Sequence, residues 1–239
     1  DHNSSDALGG DIGAWMPADL TLGQLTSMGA LTNEGASIYA NLPGAHLDAD
    51  RITVVQASAN EGAAFFLREG TATLTRLTIE EVDAGFQGGA FRIDRTDVSI
   101  DSSTITLGTA TEGGLIEIHQ GELALTQSTL TYGTADAGGL IRATSSNVST
   151  DDCILAEGEA SNDGGLIRSD NGSLMLVGSV LSGGVADDRG GAVYALGTDV
   201  SIDRSLVLNV VLGLALFAGA FVLAGTVHLV TTKVRSARD

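Results

Sequence analysis

Two pairs of adjacent carboxylates, Asp151-Asp152 and Asp187-Asp188, are the part of this sequence closest to a catalytic arrangement. In glycoside hydrolysis one carboxylic acid protonates the leaving oxygen while a second carboxylate acts as base or nucleophile. Here no basic or aromatic cluster recurs in register with either pair, and acidic dipeptides are ordinary in a chain with 30 Asp+Glu against 12 Lys+Arg. We therefore expect a protein that is not an enzyme.

Metal ligands are equally sparse in the sequence. The four histidines have no metal-binding spacing: His2, His46, His119 and His228. Carboxylates, which suit Ca²⁺, precede several glycines of the repeat described below: Glu34, Glu61, Glu112 and Asp163. Gln87, Ala137 and Arg189 interrupt that series, and no regular calcium-binding repeat is present. We expect no resident cofactor, with Ca²⁺ as the metal that these residue types would suit.

A set of charged residues at repeat spacing is the best candidate for binding a partner. Arg92, Glu117, Arg142 and Arg168 each stand four residues after a repeated glycine, and the first three alternate in sign. They are expected to form an outward ladder that is either solvated or a docking stripe. Leu115, Leu140 and Leu166 precede three of them by two positions. These leucines form an apolar strip beside the ladder if they face outward, or else pack inside a corner. The net charge of −18 disfavours a nucleic-acid partner.

The elements that position these residues follow from an internal repeat of 25 to 27 residues. Each copy starts at a glycine, and the starts are Gly9, Gly35, Gly62, Gly88, Gly113, Gly138, Gly164 and Gly190. The clearest copies read GGAFRID, GGLIEIH, GGLIRAT, GGLIRSD and GGAVYAL. A single cysteine, Cys153, excludes a disulfide framework as the source of this regularity.

Aligned copies show which positions face a core. Three residues after each start the side chain is apolar: Ile38, Phe65, Phe91, Ile116, Ile141, Ile167 and Val193. Twelve residues after, the column is Leu47, Leu74, Ile100, Leu125, Thr150, Leu176 and Ile202. Apolar residues two apart indicate strands, and no 3.6-residue period precedes residue 206. We predict an all-β fold, a right-handed parallel β-helix of about seven to eight coils over 35–205, behind a cap and irregular first coil at 1–34.

The Gly-Gly-[Ala/Leu]-[Phe/Ile/Val] steps resemble the Gly-Gly-Ala-Ile repeats of the polymorphic outer-membrane protein family. That family is in turn similar to the pectate-lyase-like right-handed β-helices. The resemblance covers roughly residues 35 to 205, and the family's Phe-x-x-Asn element is absent from this sequence. What the resemblance implies is the β-helical architecture.

The C-terminal region has a different composition. Residues 206–231 carry no formal charge, and a helix of this length is about 39 Å long, enough to cross a ~30 Å hydrocarbon core. We predict one transmembrane α-helix over 206–231 and a cationic tail over 232–239, which holds Lys233, Arg235 and Arg238. The positive-inside rule places the tail on the cytoplasmic, stromal or matrix side and the β-helix outside the cytoplasm or in a lumen.

Small residues and one histidine are the candidate contacts of this helix. Ala215 with Gly219 and Ala220 with Ala224 form small-xxx-small pairs that let a second helix approach closely. His228 lies near the positive end of the segment. It is a candidate ligand for a pigment or a contact to a neighbouring helix or lipid, and a headgroup contact is the simpler interpretation.

These expectations combine into one functional prediction with two alternatives. No linker separates Ser205 from Leu206, so the β-helix would be held rigidly at the bilayer. We predict a non-catalytic, single-pass accessory or scaffold subunit that docks on other chains of a larger membrane complex, with energy-converting assemblies as plausible hosts. The alternatives are a cell-surface adhesion or glycan-binding module and a membrane-tethered polysaccharide-active enzyme.

Overall fold

The computed structural model describes residues 11–15, 18–32, 35, 37–209 and 226–230, and every element in them is a β-strand. The strands wind into a parallel β-solenoid of about seven coils, as the repeat predicts. Each strand pairs with its counterpart one coil away, so a residue and its equivalent 25 to 27 positions later are direct neighbours. Right-handed winding stays a prediction.

The strands of the first four coils are β1 (Ile12–Trp15), β2 (Leu20–Met28), β3 (Ile38–Asn41), β4 (His46–Val55), β5 (Ser58–Glu61), β6 (Phe65–Thr75), β7 (Thr78–Gln87), β8 (Phe91–Asp101) and β9 (Thr104–Thr109). The next coils contain β10 (Ile116–His119), β11 (Glu122–Thr126), β12 (Thr129–Ala137), β13 (Ile141–Thr144), β14 (Asn147–Asp151), β15 (Ile154–Ala156) and β16 (Glu159–Asp163). The last are β17 (Ile167–Val177), β18 (Val180–Ser182), β19 (Val185–Ala186), β20 (Val193–Asp203), β21 (Ser205–Asn209) and β22 (Thr226–Val230).

Single residues with a left-handed backbone turn the chain at its corners, either between two strands or, as at Tyr132, within one. In the coil that starts at Gly113, these residues are Gln120, Gln127 and Tyr132, with φ of 55°, 47° and 57°. The repeated glycine makes the fourth corner, and the geometry there requires glycine. Gly88 has φ of 63°, and a Cβ on it would lie 1.8 Å from the carbonyl oxygen of Phe91. The regular spacing of such corners keeps the coils in register.

A column of small polar side chains completes one of these corners. Ser103, Ser128, Ser179 and Ser205 are buried, and each hydroxyl donates to the carbonyl two residues earlier in its own coil. Each of these hydroxyls also accepts a backbone N–H from the coil before, as in the bond from Ser103 N–H to Ser128 Oγ at 3.1 Å. Cys153 occupies the equivalent position between Ser128 and Ser179. This ladder satisfies backbone groups that the corner would otherwise leave buried and unpaired.

The core is the set of inward columns that the repeat predicts. Ile38, Phe65, Phe91, Ile116, Ile141 and Ile167 are all 0% exposed, and the rings of Phe65 and Phe91 stack with centroids 4.9 Å apart. Burying such side chains contributes roughly 1.5–3 kcal/mol each. Thr150, the polar member of the second column, is also buried and pairs its hydroxyl with that of Ser179 at 2.9 Å.

The coil that starts at Gly35 departs from the predicted alignment. Its first corner is a β-turn in which Ala45 N donates to Leu42 O, so it holds two more residues than the corresponding corner of later coils. As a result Leu74 lies beside Ala49 rather than beside Leu47, whose partner is Ala72. The sequence alignment that placed Leu47 beside Leu74 is therefore wrong. Counting residues from the repeated glycine did not reveal the two-residue insertion, because the predicted and the observed pairings both bring apolar residues together.

Both ends of the solenoid extend beyond the predicted limits. β1 and β2 pair in parallel with β3 and β4, so regular coils already start at Ile12 within the region expected to be a cap and irregular first coil. At the other end β21 pairs in parallel with β18, and Leu206 lies beside Val180. The coil therefore continues to Asn209.

The predicted membrane helix is not confirmed. Residues 206–209 belong to β21, and Thr226–Val230 form β22, which pairs antiparallel with β21. The described residues hold no helix that is long and apolar enough to cross a bilayer. Ala215, Gly219, Ala220 and Ala224, the predicted helix-packing positions, lie outside the described residues, as do 231 and the predicted tail at 232–239.

Candidate partner-binding site

The predicted ladder exists in register along the solenoid. Parallel pairing stacks its members one coil apart in the order Tyr39, Phe66, Arg92, Glu117, Arg142, Arg168 and Tyr194. These side chains alternate with the inward column of isoleucines and phenylalanines, so they point away from the core. They are nevertheless largely covered: 12% of the side chain of Arg92 and 12% of that of Arg142 are exposed, and 3% of that of Glu117. The expectation of a solvated ladder is therefore wrong.

Ion pairs with acidic side chains from both flanks cover the ladder. Glu61 precedes the glycine corner and lies 3.3 Å from Arg92, which also pairs with Glu117. Burial lowers the pKa of the Arg92 guanidinium from its ordinary value, and the charges of Glu61 and Asp94 oppose that shift. Because the corner glycine folds the preceding strand back beside the ladder, Glu61 reaches a ladder residue that stands 31 positions later in the sequence.

A second group of pairs repeats this arrangement two coils further on. Asp163 contacts Arg168 at 3.1 Å and Arg189 at 2.8 Å. Asp170 contacts Arg168 at 3.1 Å and also pairs with Arg142. Within the described part of the chain, Asp170 Oδ1 and Arg142 Nε remain buried without a hydrogen-bond partner. Buried charges paired from both sides are costly to separate, since either partner alone would be an uncompensated ion.

Asp94 is the junction of a four-residue cluster beside the ladder. Its carboxylate lies 3.2 Å from Arg68, 3.2 Å from Arg95 and 3.2 Å from His119 Nδ1. Burial alone would raise the pKa of Asp94, but the hydrogen bond with His119 and the charges of Arg95 and Arg92 outweigh it, so the pKa of Asp94 is lowered. Asp94 is therefore an ionised carboxylate that holds three coils together.

Aromatic rings close the ladder at both ends. Trp15 lies over Tyr39 with ring centroids 5.2 Å apart, and Tyr39 meets Phe66 edge to face at 5.1 Å. At the other end the guanidiniums of Arg168 and Arg189 lie 5.5 and 4.4 Å from the centroid of Tyr194. Trp15 is 50% exposed, so the ladder presents one indole face to solvent.

The leucines of the predicted apolar strip face the opposite way. Leu115, Leu140 and Leu166 are all 0% exposed and belong to the hydrophobic core. They fill the space above glycines of the adjacent strand: a Cβ on Gly108 would lie 2.5 Å from Leu115 Cδ2, and one on Gly133 would lie 3.0 Å from Leu140 Cδ2. Of the two sequence interpretations, packing inside a corner is correct and the outward strip is wrong. The absence of a side chain on Gly108 and Gly133 leaves the space that Leu115 and Leu140 fill.

The acidic series before the glycines does not form a metal site in the described residues. Glu61 and Asp163 are paired with arginines, and Glu112 accepts a hydrogen bond from Gln87 Nε2 at 3.2 Å. No group of three potential ligands comes together in the described part of the chain. His119 binds Asp94, and His46 Nδ1 lies 2.7 Å from the Thr71 hydroxyl. His228 lies in β22, where only the backbone is described.

Sequence reasoning singled out neither Asp94 nor Asp170, and it considered Glu61 and Asp163 only as carboxylates that suit Ca²⁺ and not as partners of the arginines. Glu61, Asp94, Asp163 and Asp170 bind the arginines, and a signal for them is present in the sequence: Arg68 and Asp94, or Asp163 and Arg189, stand 26 residues apart, which makes them neighbours in adjacent coils. Comparison with known proteins found no matching family model, no similar curated protein and no similar solved structure.

Proposed function

We propose that this chain is a non-catalytic accessory subunit of a membrane complex, in which a rigid β-solenoid docks on partner chains. One observation carries the proposal. Leu206, Val207 and Leu208 belong both to the last parallel coil and to the uncharged stretch that runs to residue 230. The solenoid therefore passes into its most apolar segment without a linker, which suits a part held at fixed orientation against a bilayer.

The anchor in this proposal starts after β21. Residues 210–230 contain 21 uncharged residues, and as a helix they would be about 32 Å long, which still matches a hydrocarbon core of ~30 Å. In a bilayer a helix satisfies every backbone group, whereas β22 leaves one edge to lipid. We propose that a membrane favours the helix, with the solenoid on the lumenal or periplasmic side and the cationic tail on the opposite side.

Docking on protein partners is the second part of the proposal. The ladder arginines are engaged in internal pairs, so they serve to hold the coils rigid. Trp15 is 50% exposed, Phe86 is 60% exposed and the Arg189 side chain, although paired with Asp163, is 57% exposed, so these three are accessible to a partner. Tryptophan and arginine are enriched at protein interfaces. The resemblance to polymorphic outer-membrane proteins and pectate-lyase-like β-helices, including right-handed winding, belongs to this proposal at the level of architecture.

Membrane attachment is tested with the full chain expressed in its native membrane type. The chain should stay with the membrane pellet after alkaline carbonate extraction. The double variant Leu216→Arg/Phe221→Arg should be released, because each arginine near a helix centre costs about 2.5–3.5 kcal/mol on insertion. The double variant Thr232→Arg/Ser236→Arg, which adds the same charge beyond the segment, is the matched control and should be retained. Release of the unmodified chain would contradict the anchor.

Partner docking is tested by purification in mild detergent. A stoichiometric complex containing other membrane polypeptides is the expected result, and Trp15→Ala should weaken it. A monomer that binds a glycan array through Trp15 would instead favour the adhesion module, for which the half-exposed indole packed on Tyr39 is the specific observation.

A further inference from the structure

One outward column of the solenoid changes from hydroxyl to aliphatic along its length. Parallel pairing stacks its members one coil apart in the order Thr26, Thr53, Thr78, Thr104, Thr129, Ile154, Val180 and Leu206. All eight face away from the core, and Ile154 is 48% exposed. Five successive threonines followed by three aliphatic residues divide the column into a polar part and an apolar part.

The neighbouring strand changes in one of these coils. In the coil that starts at Gly164, Met175 and Val177 face outward just before Val180, and Met175 is 47% exposed. Three coils earlier the equivalent outward residues are Ser99 and Asp101. Ile154, Met175, Val177, Val180 and Leu206 thus form an aliphatic patch at one corner of the last coils. Charged residues border the patch, since Asp151 and Asp203 flank Val177 in the coils before and after.

The position of this patch points to what covers it. Its last member, Leu206, is also the first residue of the uncharged stretch that the proposed function places at the bilayer. Ile154 lies two coils before Leu206, a distance of roughly 10 Å at ~4.8 Å per coil. That height matches the ~5–10 Å by which interfacial protein surfaces enter the boundary of headgroups and acyl chains.

The chemistry of the patch favours lipid over protein. Its members are all aliphatic or thioether side chains, without the tyrosine, tryptophan or arginine that are enriched in protein interfaces. The solenoid around it is acidic, so attraction between charges would not hold this surface to an anionic leaflet. Burial of apolar area is the force available, as it is for interfacial helices.

We propose that this patch, Ile154, Met175, Val177, Val180 and Leu206, is a membrane-contact surface that lies in the lipid interface and fixes the tilt of the solenoid. The inference rests on the proposed membrane attachment and adds to it: the last coils enter the interface as well as the anchor. A solenoid held at two places cannot pivot on its anchor, which gives its partner-facing side one orientation.

The test places an environment-sensitive nitrobenzoxadiazole label along the column. The full chain carries Cys153→Ser to remove the native thiol, and single labels are attached through Ile154→Cys, Val180→Cys, Thr78→Cys and Thr104→Cys. The last two are matched controls, since they stand in the same column. Ala215→Cys reports on the anchor. Each protein is reconstituted in phosphatidylcholine vesicles with and without doxyl-labelled lipid.

We expect labels at 154 and 180 to emit at shorter wavelength and to be quenched at least two-fold by doxyl lipid, while labels at 78 and 104 behave as in water. Quenching at 215 without quenching at 154 and 180 would overturn the contact surface and leave the anchor in place. Absence of quenching at all five sites would overturn the membrane attachment together with it.

Discussion

At the scale of single residues, buried hydroxyl and thiol side chains stabilise one corner of each coil by forming hydrogen bonds with the backbone. Cys153 is 1% exposed in a column of serines, and its thiol donates to Asp151 O at 3.4 Å. Its own N–H donates to Ser179 Oγ at 3.1 Å. Burial raises the pKa of the Cys153 thiol, so it is a structural group rather than a nucleophile.

The first prediction concerns this position. Cys153→Ser should keep or raise the stability of the solenoid, because a hydroxyl makes the same contacts as its four column neighbours. Cys153→Ala should lower the free energy of unfolding by about 1–2 kcal/mol, since it leaves buried backbone groups without a side-chain partner. Urea denaturation of the full chain in detergent measures both. The native thiol should also resist Ellman's reagent until the protein unfolds, and rapid stoichiometric labelling would contradict the assignment.

The second prediction concerns pH. The pKa of Asp94 is lowered in the folded state, so its contribution to stability is complete above the unfolded pKa of about 3.9 and is lost as the pH falls through the folded value. Asp94→Asn should therefore destabilise the protein at pH 7 by about 1–3 kcal/mol, and the difference from the unmodified chain should shrink below about pH 4. Denaturation midpoints at pH 7, 5 and 3 test this.

The control for Asp94 is Asp97→Asn in the same strand, where the side chain is exposed. It should have little effect at any of these pH values. An effect of Asp94→Asn that stays constant from pH 7 to pH 3 would show that the carboxylate charge is not what stabilises the cluster.

At the scale of the strand, alternation decides which side chains enter the core. Ile141 faces inward and is 0% exposed, while Arg142 beside it enters the ladder outside. The same alternation explains why the charged ladder exists without disturbing the core. It does not by itself reveal that the ladder is covered, because coverage depends on the strand beyond the glycine corner.

The third prediction tests this alternation. Ile141→Asp should place an unpaired carboxylate among Ile116 and Ile167 and cost several kcal/mol. Asn147→Asp, an exposed change in the same coil, should be close to neutral. Circular dichroism and thermal denaturation separate the two. A fully folded Ile141→Asp variant of ordinary stability would contradict the inward assignment.

At the scale of the whole molecule, each coil contacts mainly the coils before and after it, so the solenoid behaves as a stack of units. Every described strand pairing joins positions one coil apart, apart from the antiparallel pairing of β22. We expect such a stack to tolerate deletion of one complete coil, because the strands of the remaining coils then still pair in register. Deletion of part of a coil would shift that register.

The fourth prediction removes one coil. Deletion of residues 139–164 joins Gly138 to Gly165 and restores a Gly-Gly step. It brings Glu117 beside Arg168 and Ile116 beside Ile167, so both the ladder and the core stay matched. We expect a folded β-solenoid with a modestly lower melting temperature. Deletion of 139–151, about half a coil, should abolish cooperative unfolding, and equal behaviour of the two deletions would refute the repeat architecture.

The sequence by itself determined the repeat, the parallel stacking and the inward columns. These follow from local rules: glycine at corners that other residues cannot adopt, and apolar residues two apart within strands. Those rules placed Ile141 and Phe91 in the core without any structure. They were also enough to stack Arg92, Glu117 and Arg142 in one column.

Only the tertiary structure decided what surrounds each column. The inward packing of Leu115 above Gly108, the pairing of Arg168 with Asp163 and the two-residue insertion at Leu42–Ala45 all depend on how corners bring separate strands together. A period specifies which residues are neighbours along the axis of the solenoid. Neighbours around the axis depend on backbone angles at each corner, and a difference of one or two residues there changes which side chains meet.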